Sequence, residues 1–357
     1  MRNGVLHIIL AALLLLVNGC SYETQLDSPA TLCKVCLDID WAKSGIELDG
    51  MTAIFYPIDG GERSQFLSNQ VTGKEISLKA GVYNVVVFNQ AADDFSYFSI
   101  EGQDQYATLH VAMKERASDW YKPSEDECVA HEPEPFAVAL TQGFEVTEAM
   151  VQASRMEGKV FSFACCPRIV TYSTKLSIHI KGLYNIKEAR GSIQNMANTY
   201  WLTEQKAGTN GITFCFTMAD KKYDAGSTSD GILSGAFYSF GPPEAATKAT
   251  TSNILNLSIL LVDNKTVISK TYDVSKQIEA SKPAPPSTAP GQTPDPEQKA
   301  PEIIIGGGTP SDPDNPDNPA DQPIELPDVK PEDSGSQGGF DASVDEWGDE
   351  TNIEIPV

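Results

Sequence analysis

Cys33-Lys-Val-Cys-Leu-Asp-Ile-Asp-Trp41 decides the fold class, because its side chains alternate with a period of two. Cys33, Val35, Leu37, Ile39 and Trp41 fall on one face, and Lys34, Cys36, Asp38 and Asp40 on the other, the pattern of a half-buried strand. Working outward, Met51 to Ile58 reads as a second strand closed by the turn residues Asp59-Gly60-Gly61. Ile76-Ser-Leu78, Lys79-Ala-Gly81 and Val82 to Phe88 read as strand, tight turn and central strand. Val85 to Phe88 is apolar on both faces, as a strand inside a sandwich must be. Further strands are predicted at Phe136 to Leu140, Val160 to Ala164, Ile169 to Ile180, Ile212 to Met218, Gly231 to Phe240, Ile254 to Val262 and Thr266 to Asp273. Helical turns are expected only near Val146 to Arg155 and Val274 to Ile278. Many short strands with Gly, Pro, Asn and Asp between them make the chain an all-β protein of sandwich type.

The N-terminus reads as a leader. Arg2 precedes an apolar run from Val5 to Val17, too short for a transmembrane helix of about 20 residues, that ends in Val17-Asn18-Gly19-Cys20. This resembles the bacterial lipoprotein signal, in which the cysteine is acylated and becomes the new N-terminus; Cys20 is therefore the expected lipidation site. Ser21 follows it where inner-membrane retention usually reads an Asp, which favours the outer membrane.

The expected organisation is a signal peptide at 1–19, a polar tether at 20–31, an N-terminal β-sandwich at 32–145 and a C-terminal one at 146–280, with the boundary between 125 and 160. A Pro-rich linker follows at 281–300, a returning strand at 301–307, a disordered Pro/Asp-rich insertion at 308–339 and a C-terminal strand at 340–357. The insertion is centred on Asp312-Pro-Asp-Asn-Pro-Asp-Asn-Pro, whose composition buries no core. Within the last segment, Ile353, Ile355 and Val357 alternate and are candidates for strand exchange. Without the leader the chain has 25 Lys+Arg against 49 Asp+Glu, a formal charge near −24, of which −14 lies beyond residue 280. Neither nucleic acid nor anionic lipid is expected as a partner of so acidic a chain.

A resemblance emerges from several segments taken in order. They are Val35-Cys-Leu-Asp-Ile-Asp-Trp41, Met51-Thr-Ala-Ile-Phe-Tyr-Pro-Ile-Asp-Gly60, Leu78-Lys-Ala-Gly-Val-Tyr-Asn-Val-Val-Val-Phe-Asn89, Gly235-Ala-Phe-Tyr-Ser-Phe-Gly241 and Gly338-Gly-Phe-Asp-Ala-Ser-Val-Asp-Glu-Trp-Gly348. Together they look like Bacteroides-type surface lipoproteins of unknown function related to FimB-type fimbrial anchor subunits. The resemblance implies two tandem transthyretin-like sandwiches, fimbrial subunits as partners and a structural, adhesive role. It also implies assembly by strand addition, where main-chain hydrogen bonds supply affinity and pockets for alternate side chains supply specificity. The long Pro-rich insertions depart from that pattern. So does the lack of a clear processing site for a stalk pilin, with Arg155 and Arg168 candidates by residue type alone.

The residues offer little to catalysis. Cys33, Cys36, Cys128, Cys165, Cys166 and Cys215 are candidate disulfide cysteines, an even set with 15 possible full pairings. Cys33-x-x-Cys36 with Cys128-x-x-His131 has zinc-like spacing, but residues three apart on a strand face opposite sides. A redox Cys-x-x-Cys needs a helix N-terminus, which this one lacks. Mature histidines are His110, His131 and His179, too few for a evident general-base constellation. Nucleophile elbows, phosphate loops and His-Glu-x-x-His motifs are absent from the sequence. Asp93-Asp94 and Glu125-Asp126-Glu127 read as solvated acidic turns, and the Asp312 to Asp321 tract lacks the glycine of an EF-hand loop. No enzyme, cofactor or metal is expected. The alternative to a fimbrial role is a surface glycan- or protein-binding lipoprotein, with Trp120, Tyr121, Trp201 or Trp347 stacking on sugar rings.

Overall fold

The computed structural model describes residues 31–244, 252–280, 302–307 and 319–331. In chain order the first half carries β1 (Leu32–Ile39), β2 (Met51–Pro57), β3 (Ser64–Ser68), β4 (Lys74–Lys79), β5 (Gly81–Asn89), β6 (Phe98–Glu101), β7 (His110–Met113), β8 (Val129–His131) and β9 (Ala137–Val146). Helix α1 (Glu148–Glu157), β10 (Val160–Cys165) and β11 (Arg168–Ile169) follow. The second half carries β12 (Tyr172–Lys181), β13 (Ile186–Ala197), β14 (Thr199–Trp201), β15 (Lys206–Ala207), β16 (Gly211–Met218), β17 (Asp220–Tyr223), β18 (Gly231–Ser239), β19 (Ile254–Leu261) and β20 (Val267–Asp273). It ends with α2 (Ser275–Ala280), β21 (Glu302–Ile305) and β22 (Ile324–Glu325).

The first sandwich packs the sheet β10-β1-β4 on the sheet β11-β9-β5-β2-β3. The alternation of β1 does what the sequence asks. Cys33, Val35, Leu37 and Ile39 are buried, meeting Phe55, Val85 and Val87 of the opposite sheet. Phe55 sits at the centre, with Phe66, Tyr83, Phe144 and Phe163 edge-on at ring separations of 5.6 to 6.2 Å. The two-faced character of β5 is equally physical. Val85 and Val87 enter this core, while Val86 and Phe88 enter a second one that includes Phe95, Phe98, Ile100 and Val111.

That second core runs on into the C-terminal sandwich, where β17-β18-β12-β21 packs on β20-β19-β13-β16-β8. Phe216 of one sheet stacks on Phe237 of the other at 5.1 Å. The strands do not respect a boundary at 145/146. β10 runs parallel to β1 and β11 pairs with β9, so residues 160–169 belong with the first sandwich. The cause is Phe163, which lies 2% exposed against Phe55 and Phe144. In the other direction, β8 adds parallel to β16, and β7 pairs with β14 in the small sheet β15-β14-β7-β6. The two halves are therefore stitched by shared strands.

The insertion expected to be disordered over 308–339 contains structure at 319–331. A turn at Pro319–Asp321 leads into β22, and Ala320 and Ile324 are buried while Leu326 and Val329 pack against the core. Sparse but spaced apolar residues suffice here because a sheet edge is already present to receive them.

A candidate assembly edge on the C-terminal sandwich

β12 is covered on one side by β18, antiparallel from Tyr172↔Ser239 to Ile180↔Gly231. Its other side is closed by the terminal part of the chain in two pieces. β21 runs parallel to it with Lys175↔Glu302, Leu176↔Ile303, Ser177↔Ile304 and Ile178↔Ile305, and β22 continues the line at Ile180↔Ile324 and Lys181↔Glu325. Ile303 and Ile305 are fully buried and Ile324 is 3% exposed, whereas Ile304 points outward at 40%. Each buried isoleucine contributes at most about 2–3 kcal/mol of apolar burial, so this short strand is held mainly by three side chains.

Polar contacts fix the register. Ser177 Oγ donates to Glu302 at 2.9 Å, Leu326 N donates to Lys181 O at 3.0 Å, and Tyr184 OH donates to Asp328 at 2.7 Å. Lys181 and Glu325 form an exposed pair at 2.6 Å that raises the lysine and lowers the carboxyl through their hydrogen bond. Where the strand breaks, Gly306 takes φ +77° and donates its N–H to Ala320 O. A Cβ there would meet Pro323 Cα at 2.7 Å, so the turn requires glycine. The outer edge of β21 is met by α2: Gln277 presents its carboxamide to both the N–H and the C=O of Ile304.

The other candidate residues are dispersed. Cys20 and the strand-exchange candidates Ile353, Ile355 and Val357 lie outside the described residues, as do Trp347 and residues 312–318 of the acidic tract, whose last member, Asp321, is buried. The six candidate disulfide cysteines are all free thiols. Alternation explains the Cys33 and Cys36 pair, since Cys33 is buried and Cys36 sits on the opposite face. Burial pushes Cys33, Cys166 and Cys215 up and Cys165 up to about 12, while Cys128 is raised first by its hydrogen bond to Glu115. Raised thiols are the reverse of a redox centre. His110, His131 and His179 stand on three different strands, and among the described residues no three His, Cys, Asp or Glu side chains are grouped to hold a metal. Arg155 is exposed in the last turn of α1 and Arg168 half-buried in β11.

Glu127 departs from the solvated turn expected of it. It accepts hydrogen bonds from Tyr121 OH (2.7 Å), Thr213 Oγ1 (2.5 Å) and Gln194 Nε2 (3.2 Å). Burial pushes its carboxyl up, but the Thr213 and Tyr121 hydroxyls outweigh that and hold it below the usual range. Beside it lies an open cleft of about 410 Å³ lined by Ser124, Asp126, Gln194, Asn195 and Ser252. Trp120 and Tyr121 meet edge-on at 5.7 Å, and Trp201 is tilted against His110 at 4.6 Å.

Two interlocked β-sandwiches with a strand from beyond the second sandwich laid on their own sheet edge define a structural β protein in which this edge is the prominent feature. The chain belongs to the family of the domain of unknown function DUF5119, whose profile matches residues 19–217. A curated relative from Bacteroides ovatus, provisionally named fimbrium anchoring subunit Fim4B, is 26% identical over 380 residues, covering 100% of this chain and 98% of its own. A crystal structure provisionally described as a Bacteroides ovatus adhesin has the same fold, with a TM-score of 0.56 and 20% identity over 88% of this chain and 98% of that one. The fimbrial anchor protein Mfa2 of Porphyromonas gingivalis is a more distant likeness, at TM-score 0.39 and 12% identity over 69% and 84% of the two chains.

Proposed function

We propose that this chain is a lipid-anchored outer-membrane subunit of a fimbrium, an anchor or accessory subunit that is structural and adhesive and has no catalytic role. The observation that carries the reading is the edge of β12, which accepts a parallel strand in two pieces and holds it by three isoleucines and main-chain hydrogen bonds. An edge so built is suited to β-strand addition. The end-to-end likeness to the relative named as a fimbrium anchoring subunit supports the same reading. In this account acylated Cys20 holds the protein in the outer membrane at the cell surface, and Ile353, Ile355 and Val357 are offered to a fimbrial partner's sheet.

The test is gentle extraction of the acylated protein from its native membrane, followed by mass spectrometry of what comes with it. A ladder of β-sandwich subunits resistant to mild detergent is expected. A monomer, or a complex with polysaccharide-uptake proteins, would overturn the fimbrial reading. The second outcome would favour the alternative of glycan binding, for which the amide- and carboxylate-lined cleft at Glu127, the acceptor of the Tyr121 hydroxyl, is the supporting feature.

A further inference from the structure

The end of the first sandwich at which the described chain begins differs in character from the rest of this acidic protein. β1 starts at Leu32, which pairs with Lys79 at the end of antiparallel β4; two residues on, Lys34 pairs with Val160 at the start of parallel β10. The register thus gathers Leu32, Lys34, Lys79 and Val160 at one end of one sheet. The C-terminal end of α1 is fastened to the same place. Ser154 Oγ accepts the Lys34 N–H at 2.9 Å and donates to Lys159 O at 2.5 Å, which positions Arg155, Met156 and Lys159 beside the sheet end.

Lys34, Lys79, Arg155 and Lys159 are all exposed. Met156 is 75% exposed and Val160 39%, two of the large apolar side chains that the fold leaves in solvent. A cleft of about 390 Å³ opens here beside Thr31, with Lys79 and Arg155 on its walls. Lys34 is paired with Glu75 at 3.9 Å, and the four cations against Glu75, Glu148 and Glu157 leave a local excess of one positive charge on a chain that carries 49 acidic and 26 basic residues. Cations interleaved with exposed aliphatic side chains are the composition of a surface that rests on anionic headgroups, where charge is attracted to phosphate and apolar groups enter the interface.

The length of the tether supplies the occupant. Ten residues, and so eleven Cα–Cα steps, separate Cys20 from Thr31. Fully extended they reach about 40 Å, and as a relaxed coil about 20 Å, so an acylated Cys20 would hold this end of the sheet within reach of the bilayer at high effective concentration. We infer that the face formed by Lys34, Lys79, Arg155, Met156, Lys159 and Val160 docks on the anionic headgroups of the membrane that holds the lipid, fixing the orientation of the protein on its anchor. The inference rests on the acylation of Cys20 proposed above, and its partner is a phosphate-bearing lipid surface.

The full-length acylated protein is reconstituted in phosphatidylglycerol–phosphatidylcholine vesicles and, separately, in phosphatidylcholine vesicles, and its lysines are acetylated and quantified by mass spectrometry. Lys34, Lys79 and Lys159 are expected to react about fivefold more slowly on the anionic vesicles, the ratio given by ~1 kcal/mol for a basic residue at an anionic surface. Lys221 and Lys222 on β17 serve as internal references and keep one rate in both. The double variant Arg155→Glu/Lys159→Glu, altered at exposed positions that tolerate charge, is expected to lose the protection of Lys34 and Lys79. Equal labelling of the three lysines on both vesicles overturns the docking face. The mass of the Cys20 peptide in the same samples separates the two ideas. An acylated but unprotected protein overturns the docking face alone, whereas a peptide without acyl chains overturns the anchor and the docking face with it.

Discussion

The side chain of Gln277 meets the backbone of Ile304 as a neighbouring strand would, donating from Nε2 to Ile304 O at 3.2 Å and accepting Ile304 N on Oε1 at 2.8 Å. A sheet edge with unpaired N–H and C=O groups is a template for another chain, and proteins protect such edges with charges, bulges or coverings. Here one carboxamide from α2 covers the middle of β21. The edge strand β17 is defended differently, by Lys221 and Lys222.

Gln277→Ala therefore exposes both groups of Ile304 to solvent and to other strands. The pair is exposed, so its loss should cost about 1 kcal/mol. The expected result is faster amide exchange at Ile304 and Ile305 and self-association rising with concentration in sedimentation velocity. Unchanged exchange at both amides would mean that the carboxamide does not guard the edge.

The hold of β21 on the sheet is tested by two adjacent isoleucines. Ile303→Ala empties a fully buried position and should destabilise by about 2–4 kcal/mol, whereas Ile304→Ala, at a position 40% exposed, should cost under about 1 kcal/mol. Urea denaturation of both variants checks the contrast. Equal losses would show that β21 is not seated in the alternating register that pairs Leu176 with Ile303.

How far the sequence led depends on how each strand makes its burial. β1 was legible because large apolar residues alternate with charged ones, and β5 because four consecutive apolar residues feed two cores. β13, the longest of the described strands, is not legible in the sequence although it lies at the centre of its sheet. Its buried positions include Ala189, Gly191 and Ser192, small residues that give no hydrophobic signal. Gly191 is small because a Cβ there would lie 2.5 Å from the Phe216 ring, so the packing signal sits on the partner strand. Two shifts of register, after Ile186 and after Ile193, further break its period. At the assembly edge, Glu302 to Ile305 could be read as a strand from its β-branched run. β22 could not, because Pro and Asp surround Ile324 and its partner strand is over 140 residues away. The role of Gln277 has no sequence signature at all.

The extension of the first sandwich to residue 169 makes Phe163 a test of where that unit ends. Phe163→Ala removes the ring that touches Phe55 at 5.6 Å and Phe144 at 4.9 Å, and should cost about 3–5 kcal/mol. Hydrogen exchange should show the loss of protection in β1, β2 and β5 before β12, β13 and β19. Protection lost first from β12, β13 and β19 would assign β10 to the other sandwich.

Glu132 supplies a pH dependence whose sign can be worked out. It follows β8 and accepts the Tyr238 N–H of β18 at 2.6 Å, tying a strand of one sheet to a strand of the other. Desolvation dominates that hydrogen bond and pushes its carboxyl from 4.5 up to about 7. Between those two pH values the folded chain binds the proton that the unfolded chain has released, so stability falls as pH rises through that window and levels off above it. The full shift corresponds to roughly 3 kcal/mol, and about 2 kcal/mol is expected because the side chain keeps some contact with water. Glu132→Gln keeps an acceptor for Tyr238 and removes the ionisation. The variant should therefore be more stable than the parent by about that amount at pH 8 and close to it at pH 4, as read from urea midpoints across the range. Parallel stability curves for the two proteins would show that the carboxyl ionises in the folded state as readily as in the unfolded one.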